Sequence, residues 1–191
     1  SEEGAVVGIL VPTSEEDRLI KVEELLDREL PRSLSGLTVT ISRSRLATGP
    51  EQIERAAREA QLALNVGEAE GRSPIAFEDT GAYRLLLGTS TEELMNFYSE
   101  TVEPLVAYDE QYETDLVATV EAYLDSDANV PATAKQMFTH RHTIRYRLDR
   151  VKDLSGHDAT ATEGRERLGL GIKAMRVLGI ASPRGRSRER A

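Results

Sequence analysis

The segment from Asn129 to Leu148, NVPATAKQMFTHRHTIRYRL, constrains this chain more than any other. Asn129 carries a side-chain oxygen suited to the free N–H groups at a helix start. Pro131 fits the first turn, where its missing N–H costs nothing. Thr133 and Ala134 are small enough to let another helix pack closely, and Met137 and Phe138 are expected to close the hydrophobic side. Thr139-His140 makes a turn, and either residue can cap the helix that follows. That helix runs through Thr143 to about Leu154 and stops at Ser155-Gly156. Two short helices joined by a tight turn, the second of them basic, have the geometry of a helix-turn-helix.

A helical wheel at about 100° per residue sorts the second helix. Ile144, Leu148 and Val151 fall on one ridge, which is the side to be buried. His142, Arg145, Tyr146 and Asp149 point away from it, and Thr143 and Arg150 lie on a flank. Arg side chains hydrogen-bond guanine edges bidentately, and Thr contacts phosphate or the thymine methyl group. Arg141 stands at the helix N-terminus, where such helices approach bases or phosphates. Arg147 lies towards the core side, so two readings stay open for it: a stem packed against the first helix, or a base contact. Asp149 has the spacing to hold Arg145 or Arg150. For His140 and His142, capping or phosphate contact fits better than metal binding, because the chain has three His, no Cys and no third ligand at suitable spacing.

Charge supports this reading by its distribution. The chain carries a formal net charge of −9. Lys135 to Lys152 nevertheless holds six basic residues against one acidic residue, Asp149, and the tail from Ser182 holds four Arg against one Glu. An acidic body with one compact basic segment steers a polyanion to that segment and repels it elsewhere. Against it stands a bland alternative, a solvated basic helix face. The tail, rich in Arg, Ser and Gly without periodicity, is expected to be disordered.

Other function classes find little support. There is no apolar run long enough for a membrane helix and no basic-then-apolar opening of a signal peptide. The absence of cysteine excludes disulfides and thiolate metal sites and fits a cytoplasmic protein. No cofactor motif is present.

The front of the chain reads as α/β. Ala5 to Val11 (AVVGILV) has the look of a buried strand ended by Pro12. Ser14 offers an N-cap for a helix with Leu19, Val22, Leu26 and Leu30 on one face, and Pro31 is expected to stop it. Leu37, Val39 and Ile41 alternate as a half-buried strand. Gly49-Pro50 opens a helix with the stripe Ile53, Ala57, Ala60 and Leu64, capped by Gly67. Ile75 to Phe77 forms a short strand. Beyond Gly88 only helices are expected. Thr89, Ser90 and Thr91 are N-cap candidates for the first, which carries Leu94, Phe97, Thr101 and Leu105 and is kinked or broken at Pro104. Leu116, Val120, Tyr123 and Leu124 stripe the next. Leu168, Ile172, Met175 and Leu178 line the last, which Gly169 and Gly171 weaken.

The run from Asp115 to Leu154 is similar to the C-terminal DNA-binding domain of the PucR/CdaR-type bacterial regulators. The residues that carry the likeness are Ala122-Tyr123-Leu124, Asn129, Thr133-Ala134, Phe138, His140-Arg141, Thr143, Arg145-Tyr146-Arg147-Leu148, Arg150 and Leu154-Ser155-Gly156. His142 departs from the usual Asn, which puts base preference in question, and Ile144 stands where Leu is usual. The helix-turn-helix also resembles the Fis type, which implies a homodimer reading two half-sites of double-stranded DNA. Ala63 to Leu87 and Val102 to Leu124 resemble, less sharply, the degenerate GGDEF-like domain that precedes this module. The Gly-Gly-Asp/Glu-Glu-Phe hairpin itself is missing, with Ser1 to Gly4 about where it would end. A scaffold or dimerisation domain, not a cyclase, is therefore implied. The resemblance further implies a fragment whose effector binds an N-terminal domain absent from this chain.

The expected architecture is α+β: a small GGDEF-like α/β domain (1–88), connecting helices (89–127), an all-α Fis-like helix-turn-helix domain (128–180) and an Arg-rich tail (181–191). The expected function is non-enzymatic, sequence-specific DNA binding through a recognition helix at about 141–154. Lys135, His140, Arg141, His142, Thr143, Arg145, Tyr146, Arg147 and Arg150 are the candidate contacts. A nucleotide cyclase is disfavoured by the lack of an acidic metal pair or P-loop. A protein-interaction scaffold is the alternative, disfavoured because partner-binding helices need an apolar face.

Overall fold

The computed structural model describes residues 5–181, so Ser1 to Gly4 and the tail from Ser182 lie outside the described residues. Among the described residues the chain is mostly helical, with a single two-stranded parallel sheet. It divides into two compact units after Gly88. No helix of the described residues is long and apolar enough to cross a membrane.

The first unit begins with an exposed extended run rather than the expected strand. Val6, Val7, Ile9 and Leu10 are each more than half exposed. A strand needs a neighbour to take its N–H and C=O groups, and among the described residues the segment 5–11 pairs with none. Helix α1 (Glu16–Ser33) follows, with Glu16 and Asp17 in its first turn, where they complement the helix dipole. Pro31 does not stop it but sits inside its last turn, and none of its residues is fully buried.

The sheet forms one step later than the alternation predicts. Strand β1 (Ser42–Arg43) pairs in parallel with β2 (Ile75–Ala76), Ser42 opposite Ile75 and Arg43 opposite Ala76. Leu37 stays exposed, and Ile41 is held at the sheet margin by Ser73 Oγ and the Ile75 N–H. Pro50 opens a 3-10 turn (Pro50–Gln52) that runs into α2 (Ile53–Glu70), the crossover between the strands.

The buried stripe of α2 is Glu59, Leu62, Ala63, Val66 and Gly67, rotated from the expected Ile53, Ala57, Ala60 and Leu64. The rotation follows from Glu59, which is fully buried because Arg45 and Arg55 close on it. Arg45 donates from its backbone N–H (3.1 Å) and its guanidinium, and Arg55 Nη1 donates at 2.6 Å. Gly67 is not the cap. It lies within the helix where a Cβ would meet Arg72 O at 2.7 Å and Ile75 Cγ2 at 2.8 Å. Gly71, with φ 64°, ends the helix in the left-handed conformation. A kinked 3-10 segment, Phe77–Gly88, closes the unit.

Among the described residues the second unit has six helices, with α5 near its centre. Ser90 caps α3 (Thr91–Thr101), its Oγ accepting from the Glu93 N–H at 3.2 Å. The chain breaks at Val102, and α4 (Glu103–Tyr112) starts with Pro104 in its first turn. Helix α5 (Leu116–Asp125) takes its cap from a distance. The buried carboxylate of Asp109, on α4, accepts from the N–H groups of Leu116 (2.8 Å) and Val117 (2.9 Å). These are donors that the helix start leaves without partners.

Leu116, Val117, Val120 and Tyr123 then face inward to meet Ile144, Leu148 and Val151 of α7 (Arg141–Ser155) and Leu168, Ile172 and Met175 of α8 (Thr162–Val177). At Gly171 of α8, α3 packs so close that a Cβ would clash with the Thr101 side chain. An ion pair between Arg176 and Glu121 (2.8 Å) ties α8 to α5.

Candidate nucleic-acid interface

The interface is built from α6 (Val130–Gln136), the turn after it and α7. Asn129 Oδ1 accepts from the Ala132 N–H at 3.0 Å and starts α6. Thr133 and Ala134 are buried, as close packing of α7 requires. The left-handed turn at Phe138 (φ 50°) is closed by the Thr139 N–H on Ala134 O at 2.9 Å. His140 then caps α7, its Nδ1 accepting from the His142 N–H at 3.3 Å, and the two imidazoles stack with centroids 5.0 Å apart. Gly156, left-handed at φ 74°, ends the helix.

The buried ridge of α7 is Ile144, Leu148 and Val151 and nothing else. Packing therefore fixes the rotation of the helix, and rotation decides what its other side chains can reach. Arg141, His142, Arg145, Tyr146 and Asp149 are exposed, and Thr143 is half-buried on the flank. Arg141, Arg145 and, on α6, the exposed Lys135 have no side-chain hydrogen bond or ion pair among the described residues.

The other cations of the segment are engaged. Arg147 Nη2 donates to Asp115 Oδ2 at 2.9 Å and Nη1 to Thr119 Oγ1 at 3.2 Å. Of its two open readings, the packed stem is the one seen, and its support is the start of α5 rather than α6. Arg150 lies over the Tyr108 ring, 4.8 Å from its centroid, and its carboxylate neighbour is Asp153 rather than Asp149. Lys152 bonds Asp158 at 2.8 Å in the loop before α8. Hydrogen bonds from Lys152 and Thr160 hold the Asp158 carboxyl well below the usual carboxylate range.

Between Lys135 and Lys152, free positive charge thus lies at the end of α6 and in the first two turns of α7. Towards its C-terminus the same face carries Asp149 and Asp153, so a polyanion is favoured at the N-terminal end of α7.

Three contributors escaped the sequence reading. Asp115 and Thr119, which hold Arg147, lie 32 and 28 residues away from it. Tyr108, under Arg150, is equally remote. Phe138 was expected in the core and is 98% exposed, because the left-handed turn swings it outward while the half-buried Met137 packs against the core.

This arrangement defines a helix-turn-helix domain of the kind transcription regulators carry. Residues 116–174 match the family of the PucR C-terminal helix-turn-helix domain. The purine catabolism regulatory protein of Bacillus subtilis is 32% identical over 87 residues, covering 46% of this chain and 16% of that protein. The carbohydrate diacid regulator of Escherichia coli is 29% identical over 150 residues, 75% of this chain and 37% of that protein. The chain thus spans only a minor part of the length of these relatives. A crystal structure of a regulator of polyketide synthase expression from Bifidobacterium adolescentis aligns with 64% of this chain and 49% of its own. It does so at 26% identity and a TM-score of 0.41.

Proposed function

We propose that the chain is part of a sequence-specific, non-enzymatic transcription regulator whose helix α7 enters the major groove of duplex DNA. The observation that carries this reading is the sorting of cations on one helix-turn-helix. Arg147 is committed to the fold, while Arg141, Arg145 and Lys135 stand exposed with no side-chain hydrogen bond or ion pair among the described residues. Fold stability does not call for three such cations in an acidic chain, whereas a phosphate backbone does.

In this reading Arg141 and Lys135 neutralise phosphates, and Arg150, braced on Tyr108, reaches one from the flank. His140 orders the entry to the helix. Arg145, His142, Thr143 and Tyr146 face the base edges. Arg147 makes no DNA contact and sets the rotation of α7.

Residues 1–88 act as a degenerate GGDEF-like scaffold that pairs two chains, 89–127 connect, and 128–180 bind DNA. Two recognition helices then read half-sites about one DNA turn apart. The effector acts on a domain outside this chain, and the protein works in the cytoplasm.

The test is Arg145→Ala, assayed by gel-shift titration against a duplex selected by the unaltered protein. Affinity is expected to fall by about tenfold to a hundredfold, as loss of a base-contacting Arg implies, with no change in melting temperature. Unchanged affinity refutes the assignment.

A further inference from the structure

Phe138 is the most conspicuous residue that neither the fold nor the face of α7 accounts for. It is 98% exposed, the most exposed large apolar side chain among the described residues, and its backbone is left-handed at φ 50°. That conformation is unstrained for glycine and unfavourable for a residue with a Cβ, still more for a bulky one. The backbone of the turn is hydrogen-bonded, but among the described residues the ring itself packs on no part of the core.

Its surroundings are specific. Lys135, whose carbonyl accepts from the Phe138 N–H at 3.2 Å, lies one turn before it, and Arg141 follows three residues on. Both cations are exposed and have no side-chain hydrogen bond or ion pair among the described residues. An apolar ring set between two free cations is complementary to a surface that alternates phosphate with apolar sugar or base methyl groups.

We infer that Phe138 is an additional DNA-contacting residue, its ring laid on a deoxyribose or thymine methyl group beside the phosphates taken by Lys135 and Arg141. This rests on the DNA-binding reading above and extends it to the turn. The left-handed backbone is the device that presents the ring. It goes with a side chain directed out of the domain, 98% exposed.

The experiment measures affinity for the selected duplex at several salt concentrations, together with melting temperature, for the unaltered chain, Phe138→Gly, Phe138→Leu and Lys135→Ala. Glycine suits the turn, so Phe138→Gly is expected to melt at the same or a higher temperature while binding about tenfold more weakly, the scale of one lost aromatic contact. No charge is removed, so its salt dependence stays that of the unaltered chain. Lys135→Ala flattens the dependence by about one unit of slope. Phe138→Leu, still apolar, recovers part of the loss. Binding by Phe138→Gly equal to that of the unaltered chain overturns the inference and leaves the DNA reading intact, and the ring then belongs to a protein contact. If the unaltered chain binds no duplex at any salt concentration, both fall.

Discussion

Arg147 Nη2 lies 2.9 Å from Oδ2 of Asp115, joining the middle of α7 to the residue that precedes α5. The pair is largely enclosed, with side-chain exposures of 19% and 6%. It separates two arginines only two positions apart in sequence, one facing the domain and the other, Arg145, facing solvent.

From this separation, Arg147→Ala is expected to lose stability where Arg145→Ala does not. Removing the guanidinium from beside a buried carboxylate costs about 2–4 kcal/mol, whereas an exposed, unpartnered Arg contributes within about 0.5 kcal/mol. Urea unfolding of both variants checks the contrast: the midpoint falls for Arg147→Ala and stays for Arg145→Ala. Equal midpoints contradict it.

Gly171 and Gly169 sit two residues apart on α8 and are expected to respond oppositely to alanine. A Cβ at Gly171 would lie 2.1 Å from Thr101 Oγ1 and 2.8 Å from Val102 Cγ2, while one at Gly169 would meet only Leu124 Cδ1 at 3.4 Å. Gly171→Ala should therefore destabilise by about 1–3 kcal/mol through overpacking. Gly169→Ala should gain up to about 1 kcal/mol of helix propensity. Calorimetric melting resolves the two, and a Gly171→Ala chain that melts unchanged would disprove the close approach of α3.

Asp109 acts as a cap supplied in trans along the chain, and its loss should be felt at α5. Asp109→Ala leaves the Leu116 and Val117 N–H groups without their acceptor and should cost about 2 kcal/mol. Hydrogen exchange at those two amides reports it directly: they become the first amides of α5 to lose protection.

The first unit should weaken in acid. Burial by itself would raise the Glu59 carboxyl, but the hydrogen bonds from Arg45 and Arg55 outweigh it and hold the group below its ordinary value of 4.5. A carboxylate depressed in the folded state stabilises fully above its unfolded value, and the contribution drains away as pH falls below it. The unfolding midpoint of the unaltered chain should therefore drop on acidification below about pH 4.5. Glu59→Gln, less stable at neutral pH, should show a smaller drop. Parallel pH profiles for the two chains would contradict the role given to Glu59.

Local periodicity made the helix-turn-helix legible. Ile144, Leu148 and Val151 follow from the wheel, and Asn129, Gly156 and Ser90 act as the caps their chemistry suggests. What stayed hidden depends on partners far along the chain. Asp115 decides the fate of Arg147, and Arg45 and Arg55 decide which face of α2 is buried. In the front unit, apolar alternation at Leu37, Val39 and Ile41 and the run Ala5–Val11 read as strands, yet pairing settles on Ser42–Arg43 and Ile75–Ala76. Apolar pattern marks a segment that can enter a sheet, while the available partner decides whether it does. Phe138 misled for a related reason: its hydrophobicity predicts burial, and a single left-handed residue reverses it.

Whether this helix-turn-helix reads DNA sequence is decided by selection from a randomised fluorescent duplex pool, with binding followed across salt concentrations. The expected result is enrichment of an inverted repeat with half-sites about one helical turn apart, and affinity that falls steeply as salt rises. Failure to bind any duplex at low salt would contradict it and make a protein-interaction scaffold the better description of the chain.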